Sequence, residues 1–386
     1  MRKIRFLILT VIFLNTGTEG ILVPYPLING SNRLTGEYTK ENWGTWIFTR
    51  CEDLDMSLIR KTPKEYLSVH ADMNRIFYLL WEENSGMRKF KWRKIFGKKG
   101  RKDGEFRGCK GVCIDTTPRQ NNPGDYFIYV ADSRNDRIVC LRYHKKDEKM
   151  HFVCNINQTP RGKFKNPVDV STLTLGEDNF FLLITDKGNH RIVLCHYVPG
   201  SGNTYISYGS EGEEEGKFYY PTSAVIVPAD EGYRIYVADA GNSRVVLLNM
   251  DENYQISWVR TVKIGNVYLG DCSVEVSVYD KAVYLISEKK CRIYVYDWDL
   301  KHMIYWYGSF GVKEGQFNRP RYLTIYEGEA GITEEWCNTS GIQYFWLDCE
   351  VRNASCNPNV FNPAGICGII ISYTLTGGAF RGYYNK

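Results

Sequence analysis

Three groups of residues in this chain are of types and spacings that could do chemistry. The first is an acid and a base five positions apart, present as Asp132 and Arg137, Asp186 and Arg191, and Asp239 and Arg244. A positioned carboxylate and cation could move protons. A pair that recurs once per period argues against this, because a reacting centre is built once. We read the three Asp side chains as acceptors that cap turns. The Arg side chains, with Arg292 in a weaker copy, are read as packing or hydrogen-bonding groups between repeats.

The second group is the six histidines, His70, His144, His151, His190, His196 and His302. Imidazoles ligate metals when several converge. Here His144 and His151 flank one hairpin and His190 holds a variable turn position, aligned with Asp136, Ser243 and Cys291. His196 follows a strand, and no three histidines occupy matching places. A Gly-x-Ser-x-Gly elbow and a CxxC pair are both missing from the sequence. No catalytic or metal-ligating residue is assigned.

The third group is cationic. Lys89, Lys91, Arg93, Lys94, Lys98, Lys99, Arg101 and Lys102 lie within fourteen residues, interleaved with Phe90, Trp92 and Phe96. With Trp92 they form a candidate anion-binding patch. The bland alternative is an edge strand guarded by lysines. An acidic stretch, 211–217, occupies the equivalent connection further on.

Positioning these groups falls to a repeat. Phe106, Phe164, Phe218 and Phe317 each end a Gly-x-Phe tripeptide, at separations of 58, 54 and 99 residues. Pro167, Pro221 and Pro320 follow three residues after the last three. In phase runs Tyr129-Val-Ala-Asp-Ser-Arg-Asn-Asp-Arg-Ile-Val, then Ile184-Thr-Asp-Lys-Gly-Asn-His-Arg-Ile-Val and Tyr236-Val-Ala-Asp-Ala-Gly-Asn-Ser-Arg-Val-Val, with a decayed copy from Leu285. Each reads as strand, short turn, strand. A 50-residue sheet cannot bury both its faces alone, so the copies must stack or close.

Gly-x-Phe-x-x-Pro followed by Tyr-Val-Ala-Asp-x-x-Asn-x-Arg-Ile resembles the NHL repeat over about residues 95–326. The resemblance implies an all-β, NHL-type β-propeller of four-stranded blades about a channel. Partial blades at both ends bring the expected count to six, though five or seven also fit. The composition agrees, with 28 Tyr, 18 Phe, 9 Trp and 35 Gly. Some propellers of this kind are metal-dependent lyases or hydrolases, and others grip single-stranded RNA. No cofactor is predicted, with calcium or zinc in the channel left open.

Residues 1–20 have a basic start, a short apolar run and a small-residue exit, which reads as a signal peptide; an uncleaved anchor is the alternative. Residues 21–64 form an N-terminal segment in which 43–49 could supply a ring-closing strand. Residues 65–386 form the propeller. Its last blade carries Cys337, Cys349, Cys356 and Cys367. The chain has twelve cysteines, and export makes disulfides plausible. Cys140 and Cys154 are equidistant from Asp147 and should face each other across a hairpin. Cys109 with Cys113 and Cys272 with Cys291 are weaker candidates.

The expected function is a secreted (extracellular or periplasmic) module that binds protein or an anionic glycan on one propeller face. The alternative is a metal-dependent enzyme with its site in the channel. Nucleic acid fits poorly with export, and no apolar run of transmembrane length follows residue 20.

Overall fold

The computed structural model describes residues 51–326, apart from 62, 73, 85–86, 122–123, 199–201, 265–269, 271, 279–280, 311–316 and 318, together with short strands before and after. Five antiparallel sheets of four strands follow one another along the chain. The first holds Cys51–Lys61, Lys64–Asp72, Arg75–Asn84 and Met87–Phe96. The second holds Cys109–Asp115, Tyr126–Asp132, Arg137–His144 and Lys149–Ile156. The third runs from Pro167–Gly176 to Gly202–Tyr208, the fourth from Ser223–Pro228 to Ile256–Lys263, and the fifth from Val274–Ser277 to Met303–Tyr307.

Within each sheet the strands pair in chain order, and the first strand of each packs against the first strand of the next. This is the radial arrangement of a β-propeller. The expectation of six four-stranded blades is corrected to five such sheets. The remaining large sheet has six strands in the order Ile21–Tyr25, Thr10–Leu14, Gly368–Ile369, Thr339–Trp346, Glu329–Trp336, Pro320–Tyr326. Pro320–Tyr326 packs between Val274–Ser277 and Cys51–Lys61. Thr10–Leu14, within the segment read as a leader, therefore belongs to this sheet.

The first blade begins earlier than residue 65, because Cys51–Lys61 is its inner strand. Residues 43–49, and Cys337, Cys349, Cys356 and Cys367, lie outside the described residues.

Sheets stacked face to face bury both of their surfaces, so the strands read as nearly unbroken apolar runs. Leu67, Val69, Ile76 and Leu80 of the first blade pack with Phe106, Val112, Val130, Val139 and Leu141 of the second. Each such side chain contributes about 1.5–3 kcal/mol on burial. The repeat Phe residues plug the seams: Phe106, Phe218 and Phe317 are fully buried. A glycine nine residues earlier makes room for each. A Cβ on Gly97, Gly209 or Gly308 would sit 2.4–2.5 Å from the ring.

Candidate functional site

The recurrent Asp and Arg form one buried device, repeated three times. Asp239 Oδ2 accepts from Arg244 Nε at 2.7 Å and Asn242 Nδ2 at 2.8 Å, while Oδ1 accepts the Tyr219 N–H at 2.7 Å. Asp132 does the same with Arg137, Asn135 and the Arg107 N–H. Asp186 does so with Arg191, Asn189 and the Lys165 N–H. The Asp side chains do not cap the turn that follows them. They pin the loop arriving from the previous blade, and the Arg side chains hold that loop's carbonyls. Arg137 reaches Arg101, Lys102 and Glu105 in this way, and Arg244 reaches Glu213 and Lys217.

Each of these turns also holds one residue at positive φ. It is Asp136, His190, Ser243 or Cys291, at φ of 51–54°, rather than a Gly or Asn. Gly188 and Gly241 are needed for close approach instead. A Cβ on Gly241 would lie 2.1 Å from the Tyr219 carbonyl oxygen.

These pinned loops share one face of the propeller. The loop of 97–108 exposes Lys98, Lys99, Arg101 and Lys102, and that of 157–166 exposes Arg161, Lys163 and Lys165. The next, 209–222, exposes Glu211, Glu213, Glu214 and Glu215. A groove of about 930 Å³ opens between the second and third blades on this face. Arg101, Arg134, Arg137 and Lys163 line it, with Asp136 and Tyr205 among the others. Among the described residues, Arg101, Arg134 and Lys163 have no ion-pair partner.

The cationic run is divided by the fold. Residues 89–94 lie on the outermost strand of the first blade. There Lys91 Nζ pairs with Glu65 at 2.9 Å and Glu82 at 3.3 Å, and Lys94 pairs with Glu148 at 3.5 Å. Lys89, Trp92 and Arg93 are placed by backbone alone. Lys98 pairs with Glu105 at 3.6 Å, whereas Lys99, Arg101 and Lys102 face solvent. Arg134 and Lys163 join them only through the fold. Arg134 could have been found in the sequence as the residue two after each repeat Asp, which falls on the loop-bearing face.

The channel is lined by the inner strands. A cavity of about 170 Å³ is bordered by Asp53, Asp55, Cys113, Asp169, Ser223 and Glu275, among others. The inner strands run too far apart to pair through backbone, and side chains bridge them instead. Asp53 accepts from Val112 N–H at 2.8 Å, Asp55 from Ile114 N–H at 2.7 Å and Asp169 from Ala224 N–H at 3.1 Å. Ser223 bonds Val274, and the Leu323 N–H reaches Ser273. Burial pushes the Glu275 carboxyl up to about 8 and Asp169 to about 6, the latter against hydrogen bonds that favour its charged form. None of the channel carboxylates had been singled out from the sequence. Among the described residues they do not form a cluster of three metal-ligating groups.

Cys140 and Cys154 do face each other across the hairpin. No disulfide joins them, and Cys109, Cys113, Cys272 and Cys291 form none among the described residues either. Cys109 and Cys113 lie on a single strand, four residues or about 13 Å apart along it, beyond disulfide reach.

No protein-family model matches the chain, and no curated protein matches it. Solved structures do. A functionally unknown protein from Desulfotomaculum acetoxidans is 13% identical, with a TM-score of 0.47 over 82% of this chain and 88% of that one. A Bacteroides fragilis protein provisionally assigned as a 6-phosphogluconolactonase is 12% identical, with a TM-score of 0.48 over 89% and 91%. A luciferin-regenerating enzyme is 9% identical, with a TM-score of 0.47 over 87% and 94%. At these values the similarities carry no activity over to this chain.

Proposed function

We propose that this chain is an exported, NHL-like propeller that binds an anionic ligand, an acidic glycan or the acidic surface of a protein, on its loop-bearing face. The observation that carries the reading is the groove lined by Arg101, Arg134 and Lys163, none of them in an ion pair among the described residues, whose one carboxylate, Asp136, is engaged by the Asn166 N–H. Cations held on a pinned loop and a rigid turn attract anions without a large ordering cost. The neighbouring acidic loop gives the face a polarity that orients the ligand. The basic and apolar pattern of residues 1–20 supports export and weighs against a nucleic acid, which would match the same charge, although Thr10–Leu14 is also paired into the sheet of Pro320–Tyr326.

A second reading places an enzyme at the channel. Its support is the pair Asp169 and Glu275, whose carboxyls are pushed up to about 6 and about 8 beside one cavity of about 170 Å³, the kind of split that general acid–base sites show. It ranks below the first because Asp53, Asp55 and Asp169 are occupied by backbone N–H groups of the next blade.

Calorimetric titration with a sulfated polysaccharide and with an uncharged one tests the first reading. Binding of the charged polymer alone, lost on Arg134→Glu with Lys163→Glu, is the expected result. Equal binding of both polymers, or binding unchanged in the double variant, overturns it.

A further inference from the structure

We propose that the outer hairpin of the second blade is a binding site for a borderline divalent transition-metal ion of the zinc class, held by His144, Asp147 and His151. His144 ends the strand Arg137–His144, His151 lies near the start of Lys149–Ile156, and Asp147 sits in the turn between them. The ladder pairs His144 with Lys149 and Arg142 with His151. The two imidazoles are therefore diagonal neighbours on one face of the sheet. Their rings lie 6.2 Å apart, edge to face.

Asp147 joins them. Its Oδ1 lies 3.1 Å from His144 Nδ1, and its Oδ2 lies 3.2 Å from His151 Nε2. One ligand atom from each of the three residues falls within 4.8 Å of the others. Tetrahedral zinc with bonds of about 2.0–2.1 Å sets its ligand atoms roughly 3.3 Å apart; each imidazole already meets one oxygen of Asp147 near that distance, and a turn of the carboxylate that brings one oxygen to both nitrogens closes the remaining separations, which lie within 4.8 Å. Two imidazoles and a carboxylate are the donor set that zinc-class ions prefer over calcium or magnesium. Three protein ligands leave a fourth position for water.

The scaffold is already ordered. Asp147 Oδ1 accepts the Lys149 N–H at 3.0 Å, which closes the turn, and Glu148 supplies its left-handed residue at φ 52°. The remaining nitrogen of His144 faces Asp125 Oδ1 at 3.9 Å, so a carboxylate stands behind the ligand, as it does behind many metal-bound imidazoles. Arg142, 3.7 Å from the other oxygen of Asp125, tempers that charge. The fifth blade supplies a natural control, since His302 pairs with Asp297 at 2.9 Å on its outer hairpin with no second imidazole.

The full chain, stripped with chelator and dialysed, would be titrated with zinc chloride by calorimetry, and with cobalt(II) followed by visible absorption. The expected result is one ion per chain and a tetrahedral cobalt spectrum. His151→Gln and Asp147→Asn should each weaken binding by at least about tenfold, and His302→Gln should leave it unchanged. Both hairpin positions are partly exposed, and unchanged melting curves would show that the variants fold. Absence of binding overturns the proposal, as does affinity unaltered in both hairpin variants. A thiolate-to-cobalt charge-transfer band would place the ion on cysteine sulfur instead of this hairpin site and would overturn it too.

Discussion

Arg244 donates its Nε proton to Asp239 at 2.7 Å in a site where the Asp239 side chain is wholly buried. The same carboxylate holds an amide of Asn242 and the backbone of Tyr219. As a simple turn cap, Asp239 would contribute about 1 kcal/mol. As the acceptor of three donors, one of them a buried guanidinium, its removal strands a charge, and Asp239→Ala should cost about 3–5 kcal/mol. The fifth blade provides the contrast. Ser287 stands where Asp is expected, and Arg292 lies over the Trp306 ring, 3.8 Å from its centroid. Arg292→Ala should cost only about 1 kcal/mol. Urea denaturation of both variants checks the pair, and equal losses would refute the assignment.

The repeat was legible because its parts recur in phase. Phe106, Phe164 and Phe218 fill equivalent seams, and the Asp–Arg spacing places each pair across one tight turn. The inner strand of the first blade was not legible. Asp53 and Asp55 break its apolar pattern, because that side of the strand faces the channel and bridges to the next blade. The groove was half legible: Arg101 lay in the cationic run, but Lys163 is 62 positions later and meets it only because successive loops share a face. The hairpin carrying His144 and His151 was read correctly as a hairpin, yet their diagonal register and the aim of Asp147 emerged only from the ladder.

Glu275 predicts a pH dependence of stability. Its folded carboxyl titrates near 8, above the ordinary value of 4.5, because burial disfavours the charge. The protonated form is thus preferred in the folded state. Its contribution is fully present below about pH 4.5 and is lost as pH rises through 8. Glu275→Gln keeps an acceptor for the Val276 N–H, which Glu275 now binds at 3.1 Å, and removes the titration. The variant should melt about 2–4 °C higher than the parent at pH 9 for each kcal/mol recovered, with little difference near pH 4. A parallel pair of melting curves across that range would refute this.

The groove predicts a salt slope. Bound polyanion releases condensed counterions in proportion to the cations that engage it. Lys163→Gln should therefore weaken binding of a sulfated polysaccharide and flatten its dependence on salt by about one ion. Lys91→Gln should change neither, because Lys91 is already committed to Glu65 and Glu82 on the blade's outer strand. If Lys91→Gln has the larger effect, the binding surface is the outer strand and not the groove.

Cys154 should be the most reactive thiol among the described residues. It is exposed, and the facing thiol of Cys140 donates a hydrogen bond that holds it down to about 7, against some desolvation. Cys140 is buried and is pushed the opposite way, by its hydrogen bond to Cys154 and then by desolvation. At neutral pH a large fraction of Cys154 is thiolate, the form that attacks alkylating agents. With the protein reduced and folded, iodoacetamide at pH 7 should label Cys154 first. Cys140→Ala removes the donor and should slow that labelling severalfold, most clearly below pH 8, where thiolate is then scarce. Peptide mapping over a time course measures both rates. A labelling rate at Cys154 that is indifferent to Cys140→Ala would show that exposure alone, and not the cross-strand thiol, sets its reactivity.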